Sequence, residues 1–255
     1  RSLPAIDLWP EQVTPVEKMM LATKYDFDFQ VKSVTGSGKT VMALEVARRL
    51  GRTTLIVVDT NFLRDQWVER IGEHFSIPVD EVGCIQGKTI DVAENGFTVG
   101  MMQTLYNKKL RTDVRRYFGT VIFDECHGTG APEFNRVLYR FPAQVRFGVT
   151  AVPRSGVLGK VIKWHIGDVQ IKTTTRHRVS NVYYFESDSF YSWYSNISPK
   201  TGRFINEVAG DGERNLKLAE VIKWIYEHER DALIISDRIE QLEGLMALCS
   251  FMGVP

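Results

Sequence analysis

Cysteine is scarce in this chain: Cys84, Cys126 and Cys249 are all it has, with no Cys-x-x-Cys pair. Neither a disulfide framework nor a cysteine zinc site is expected, and a reducing compartment, the cytoplasm, suits such usage. Excess charge of one sign is missing too. Lys plus Arg total 32 against 31 Asp plus Glu, a net charge of +1, which excludes a histone-like binder and leaves any polyanion to local patches. His74, His165, His177 and His228 show no ligand spacing and carry no expected metal chemistry. No stretch reaches about 18 consecutive apolar residues, so no membrane span is expected. Arg1-Ser2-Leu3-Pro4 lacks the apolar run of a secretion signal and an initiator methionine, which suggests a piece of a longer or processed chain. Internal repeats with periods of about 20 to 50 residues are also absent. What is present is ordinary globular composition, 44% hydrophobic and 25% charged over 255 residues, so disordered, collagen-like and coiled-coil readings drop out.

From Gln30 to Arg178 short apolar, β-branched runs alternate with helical stretches, the signature of an α/β fold whose parallel sheet is joined by crossover helices. Expected strands are Val31–Thr35, Thr54–Asp59, Gly96–Met101, Thr120–Phe123 and Val145–Thr150. Expected crossovers are Thr40–Leu50, with Val41, Leu44, Ala47 and Leu50 on one face, and Arg64–His74, with Trp67, Ile71 and His74 on one face. Gly156, Gly159 and Gly167 break the segment Val152–Arg178, which ends in the basic run Lys172–Arg178, and a domain boundary is expected there, dividing residues 1–178 from 179–255. Beyond it a second α/β unit opens: a strand at Asn181–Glu186, a mobile Ser- and Gly-rich insertion at Ser195–Gly212, a helix at Asn215–His228, a buried strand at Ala232–Ser236 and a helix at Ile239–Phe251. One completed strand and helix leave its sheet truncated.

Thr35-Gly36-Ser37-Gly38-Lys39-Thr40 follows an expected strand and opens an expected helix, the context that a nucleotide phosphate loop requires. Glycines let successive N–H groups turn inward around a phosphate, and the helix N-terminus adds its positive dipole. Lys39 would reach the β- and γ-phosphates and the Thr40 hydroxyl would ligate Mg²⁺. The strict pattern sets a glycine where this chain has Ser33, and a glycine-rich loop without nucleotide is the competing reading.

The short buried-strand pattern Thr120–Phe123 ends in Asp124-Glu125-Cys126-His127. An acidic pair there sits where ligands bind in open α/β sheets. Asp124 would hold Mg²⁺ through water, and Glu125 would orient or deprotonate an attacking water. Ordinary helix-capping acids are the alternative, weakened by the presence of Lys39. Cys126 reads as a packing residue.

With these motifs in place the chain resembles the superfamily 2 helicases and translocases, in the DEAH/DECH-like branch that includes XPB-type, restriction-motor and UvsW-like enzymes. Leu8-Trp9-Pro10-Glu11-Gln12 resembles the family's upstream element, in which a glutamine, here Gln12, reads the adenine edge. Thr35–Thr40 is similar to motif I, and Val57–Trp67, with Thr60, Gln66 and Trp67, to motif Ia. Val99–Leu105, with Gln103 and Thr104, resembles motif Ib. Asp124–His127 matches motif II as DECH, Gly148–Pro153 resembles motif III, and Leu233–Arg238 motif IV. The motifs stand in the family's order.

The resemblance implies two RecA-like domains that bind Mg-ATP between them. It implies nucleic-acid contacts at Thr60, Gln66, Gln103, Thr104 and Arg238, and coupling of nucleotide state to domain closure through His127 and Thr150. Motifs V and VI, with their arginine fingers, would lie beyond Pro255, so the 255-residue chain is expected to bind ATP and turn it over about 10³ to 10⁵ times more slowly than a complete site. The expected function is an ATP-dependent DNA helicase or translocase acting as a monomer on single-stranded, forked or branched DNA, in a bacterial or phage-infected cell. An RNA helicase and a non-unwinding motor subunit of a nuclease complex stand as alternatives. The basic run Lys108, Lys109, Arg111, Arg115 and Arg116 suits phosphate contacts or an ordinary solvated helix face equally. The aromatics from Tyr183 to Tyr194 read as core packing before base stacking.

Overall fold

In a computed structural model of the chain, the described residues are 3–25, 28–34, 36–94, 96–125, 131–153, 155–173 and 202–254. Two compact units separate, Arg1–Arg178 and Val179–Pro255.

The first unit opens with helix α1 (Pro10–Lys24), whose Gln12 side chain turns back to accept the Trp9 N–H at 3.0 Å. Then follow β1 (Phe29–Lys32), α2 (Lys39–Leu50), β2 (Thr54–Val58), α3 (Asn61–Phe75), β3 (Gly83–Gln86), β4 (Thr89–Ile90) and β5 (Phe97–Met101). The short helices α4 (Met102–Asn107) and α5 (Thr112–Tyr117) precede β6 (Thr120–Asp124), α6 (Ala131–Arg140), β7 (Val145–Thr150), α7 (Gly156–Ile166) and β8 (Val169–Lys172). The strands form one sheet in the order β4-β3-β5-β2-β6-β7-β1-β8. Every pairing is parallel except that of β3 with β4 at the edge. In register across β1 and β7, Phe29 and Phe147 stack with ring centres 5.2 Å apart.

Side chains alternate faces along a strand, and here both faces are apolar. Ile56, Val58, Ile122 and Phe147 join one core with α1, α2 and α3, while Leu55, Val57, Val121 and Phe123 join another with α4, α6 and α7. That two-sided burial is why the strands read as continuous β-branched runs. The expected strands form with ends shifted by a few residues; the first runs over Phe29–Lys32 and leaves residues 33–34 to the loop. Three strands were not anticipated. β3 and β4 are short strands at one end of the sheet, and β8 lies in the glycine-broken segment, where Val169, Ile171 and Lys172 pair with β1 across a shift of register.

Two helix faces differ from expectation. On α3 the buried stripe is Trp67, Ile71 and Phe75, not His74, because residues four apart share a face more closely than those three apart. Helix α2 is buried from Met42 to Ala47 without a break, since α1 and α3 pack on it as well as the sheet. This draws Glu45 into the core at 1% exposure. Its carboxylate takes Arg48 at 2.7 and 2.8 Å, Arg49 at 2.7 Å and the Ile6 N–H at 3.2 Å.

In the second unit, α8 (Gly202–Gly210), α9 (Gly212–Glu227) and α10 (Ile239–Phe251) bury Ala219, Leu245 and Cys249 together with Val254. The expected insertion is therefore helical over Gly202–Gly210, and the side chain of Asp211 caps α9 by accepting the Arg214 N–H at 3.0 Å. Residues 232–236 form no strand, and Leu233 and Ile235 are 87% and 82% exposed. An apolar β-branched run becomes a buried strand only beside a partner, and no strand of the second unit lies among the described residues. The expected strand Asn181–Glu186, the aromatics from Tyr183 to Tyr194 and Ser195–Thr201 lie outside the described residues. The thiols of Cys84 and Cys249 are free, and burial pushes both above the usual thiol range.

Burial alone would raise the Glu45 pKa, but hydrogen bonds from Arg48, Arg49 and the Ile6 N–H outweigh it and lower the value from 4.5 to about 2. A carboxylate whose folded pKa is depressed stabilises the fold above its unfolded pKa and loses that contribution as pH falls through the folded one. Glu45→Gln is therefore expected to lower stability by about 3 kcal/mol at pH 7. Urea unfolding between pH 7 and pH 2 checks this: wild type should weaken below about pH 4.5, and the variant should show a visibly shallower decline.

Candidate phosphate and carboxylate site

Because β1, β6 and β7 run parallel and adjacent in the order β6-β7-β1, the loops leaving them open on one edge of the sheet. The loop after β1 carries Gly36 and Gly38 with φ of +79° and +77°, the left-handed region that favours glycine. Gly38 is the last residue before α2, so Lys39 and Thr40 open the helix.

The loop is tied at its base. Ser33, fully buried, shares a hydrogen bond with the Ser37 hydroxyl and accepts one from Thr173 at 3.1 Å. The serine in place of the usual glycine is thus accommodated by two hydroxyl partners. The Ser33 N–H donates to the Thr150 carbonyl at 2.9 Å, joining the loop to the end of β7. Thr150 is itself buried, its hydroxyl 3.3 Å from the Val152 N–H. Above the loop, the Gln12 amide donates to the Ser37 carbonyl at 3.0 Å, so this buried side chain braces the loop from α1.

On the same edge, Asp124 ends β6 with its carboxylate 1% exposed. Its Oδ1 accepts the Glu125 N–H at 2.9 Å and its Oδ2 accepts the Trp67 indole N–H at 2.7 Å. The Lys39 ammonium lies 3.9 Å from Asp124 Oδ1 and forms an ion pair with Glu125. Glu125 stands at φ +44°, a strained setting for a residue with a side chain and one that recurs at functional sites. Lys39 and the adjacent pair Asp124 and Glu125, far from it in sequence, thus meet in one place. Thr35 and His127 lie outside the described residues.

The residues assigned to nucleic acid are more dispersed. Thr60 caps α3, its hydroxyl accepting the Leu63 N–H at 3.2 Å, and Gln66 lies half-buried on the same helix. Gln103 is exposed on α4, while the Thr104 hydroxyl accepts the Gly87 N–H at 3.0 Å. Arg238 belongs to the second unit, where its guanidinium holds Asn206 and the Gly202 carbonyl. In the basic run, Arg111 pairs with Asp113 at 2.7 Å, and Lys109 and Arg116 are exposed. In the sequence Trp67 reads as part of an apolar helix face and of motif Ia. Its bond to Asp124 joins residues 57 positions apart, and no local pattern signals that. Among the described residues no group of three or more His, Cys, Asp or Glu side chains could hold a metal, and no helix is long and apolar enough to cross a membrane.

The two loop glycines are not equivalent. A Cβ on Gly36 meets nothing within 4 Å, whereas one on Gly38 would overlap the Gln12 amide nitrogen. Gly36→Ala is expected to cost about 1 kcal/mol, for its backbone alone. Gly38→Ala should cost at least about 1 kcal/mol more, through loss of the Gln12 bond. Urea unfolding of both variants checks the order.

Known proteins resemble the chain in sequence and in fold. The family described as type III restriction enzyme, res subunit, matches residues 5–155, more than half of the chain. A protein of Acanthamoeba polyphaga mimivirus named as a candidate ATP-dependent RNA helicase, L396, is 28% identical over 223 residues, 84% of this chain and 42% of the relative. The DNA 3'-5' translocase XPB2 of Sulfurisphaera tokodaii is 31% identical over 123 residues, 47% of this chain and 26% of the relative. The chain thus spans less than half the length of these relatives. Among solved structures, the UvsW helicase of bacteriophage T4 matches with a TM-score of 0.54 at 18% identity, over 66% of this chain and 60% of that one. The Sulfolobus solfataricus SWI2/SNF2 ATPase core in complex with double-stranded DNA matches with a TM-score of 0.55 at 13% identity, over 65% of this chain and 37% of that one. These two likenesses concern the fold, which is that of a RecA-like helicase domain. The chain belongs to the family described as type III restriction enzyme, res subunit, within the superfamily 2 helicases.

Proposed function

We propose that this protein is an ATP-dependent helicase or translocase whose nucleotide site is the edge formed by the loops after β1, β6 and β7. The observation that carries this reading is the convergence of Lys39 on Asp124 and Glu125 beside a loop with two left-handed glycines.

The donors suit Mg²⁺: the Thr40 hydroxyl is a hard oxygen ligand, and the nearly buried Asp124 carboxylate would hold the ion through water. Such an ion takes one or two protein oxygens and completes its shell with phosphate and water. Bound there, Mg²⁺ would neutralise charge on the transferring phosphoryl group. The chain's own groups supply the rest. Lys39, held between two carboxylates, would exchange Glu125 for phosphate oxygens. That exchange frees the Glu125 carboxylate to orient a water and take its proton. Gln12 would meet the adenine edge with the hydrogen-bonding capacity left beyond Trp9 and Ser37. The Ser33–Thr150 bond gives motif III a direct mechanical link to the phosphate loop. His127 would extend the coupling, with Thr35 completing the loop.

Residues 1–178 would form the first RecA-like helicase domain and 179–255 the opening part of a second. Thr60, Gln66, Gln103 and Thr104 on the first, and Arg238 on the second, would track a phosphate backbone, giving weak base preference and strong salt dependence. We favour DNA, with remodelling of forks and branches in repair or recombination, because Gln66-Trp67 and the Thr150-Ala151-Val152-Pro153 run resemble the XPB and UvsW branch. RNA is the second reading, favoured by the name of the mimivirus relative.

ATP hydrolysis by the intact gene product tests this, measured with single-stranded DNA, duplex DNA, a four-way junction and single-stranded RNA. Stimulation strongest on branched DNA is expected; stimulation by RNA alone favours the second reading. Lys39→Ala should abolish turnover, and Glu125→Gln should lower it about 10² to 10⁴-fold while ATP stays bound. Unchanged hydrolysis by Lys39→Ala would overturn the site.

A further inference from the structure

Trp67 has no part in the chemistry just described, yet it touches the carboxylate on which that chemistry turns. Its side chain is among the largest fully buried ones in the first unit, and its indole N–H points at Asp124 Oδ2, 2.7 Å away. The contact follows from the topology. β2 lies beside β6 in the sheet, and α3, which follows β2, packs its Trp67–Ile71–Phe75 stripe on the sheet. The second Asp124 oxygen is held by the Glu125 N–H. The two donors act on different oxygens, so the carboxylate, itself 1% exposed, cannot rotate without breaking one bond.

We propose that Trp67 is a positioning residue for the nucleotide-bound metal: its indole fixes the Asp124 carboxylate so that the oxygen facing Lys39 is presented to the ion. This rests on the reading of Asp124 as the carboxylate of a metal–nucleotide site. Partners that orient a metal ligand are commonly worth about 10- to 100-fold in metal affinity. A tryptophan that served packing alone would need an acceptor when buried, but not one at this position.

Trp67→Phe keeps most of the ring and removes the donor. Binding of a fluorescent ATP analogue to the full chain is measured in EDTA and across a Mg²⁺ titration, with wild type and Lys39→Ala in parallel. The variant should keep its EDTA affinity within about twofold and require about 10- to 100-fold more Mg²⁺ for the metal-dependent gain. In an Asp124→Asn background, the same change should add little, because its effect runs through that carboxylate. A Mg²⁺ dependence equal to wild type overturns the proposal and leaves the nucleotide site standing. Absence of nucleotide binding by wild type, or wild-type binding by Lys39→Ala, overturns both.

A second measurement does not depend on the variant folding. In ¹⁵N-tryptophan spectra of wild type, the Trp67 indole should exchange with solvent more slowly than those of Trp9, Trp164 and Trp224, which are 62%, 75% and 53% exposed. Adding Mg²⁺ to the nucleotide complex should shift that slow resonance. A resonance that does not move overturns the proposal.

Discussion

A carboxylate buried at the end of a central strand has to be compensated on every side, and Asp124 organises this site for that reason. An uncompensated charge there would be costly. The chain supplies an indole N–H, a backbone N–H and a nearby ammonium, each from a different element. Meeting that requirement brings α3, the residue after β6 and the start of α2 to one place. The positive φ at Glu125 is part of the same solution: the turn that presents its N–H to Asp124 also brings its carboxylate to Lys39.

The parallel sheet makes this convergence possible at little cost to the core. Two apolar layers hold β1, β6 and β7 in register, so residues more than a hundred positions apart end on one edge of the sheet. The loop base is polar but satisfied. Ser33, Ser37 and Thr173 bond among themselves, and Gln12 braces the loop from the helix before β1. Glu45 plays the analogous part deeper in the core, clamping α2 to the chain near Ile6.

Much of the architecture was legible in the sequence, because a strand buried on both faces announces itself as a β-branched run and a tight turn from strand to helix announces itself by its glycines. The short strands β3 and β4 at one end of the sheet were not, being too short and too polar to show a period. Residues 232–236 misled for the opposite reason: Leu233, Ile234 and Ile235 have strand chemistry, but pairing is a property of the neighbour. The meeting of Lys39 with Asp124 and Glu125 was legible because a helix start after a glycine loop, a strand end and side-chain chemistry pointed the same way. Trp67 was not, since its role is defined by a hydrogen bond across the sheet's packing layer. Helix period alone also misplaced His74 on the buried face that Phe75 occupies.

The central claim is that Lys39, Asp124 and Trp67 form one prearranged nucleotide site. A crystal structure of the protein with Mg²⁺ and a non-hydrolysable ATP analogue tests it most directly. The account predicts Lys39 on the phosphates and no longer on Glu125, with the Trp67–Asp124 bond kept. Nucleotide bound elsewhere, or Lys39 still paired with Glu125 beside an occupied loop, would contradict it.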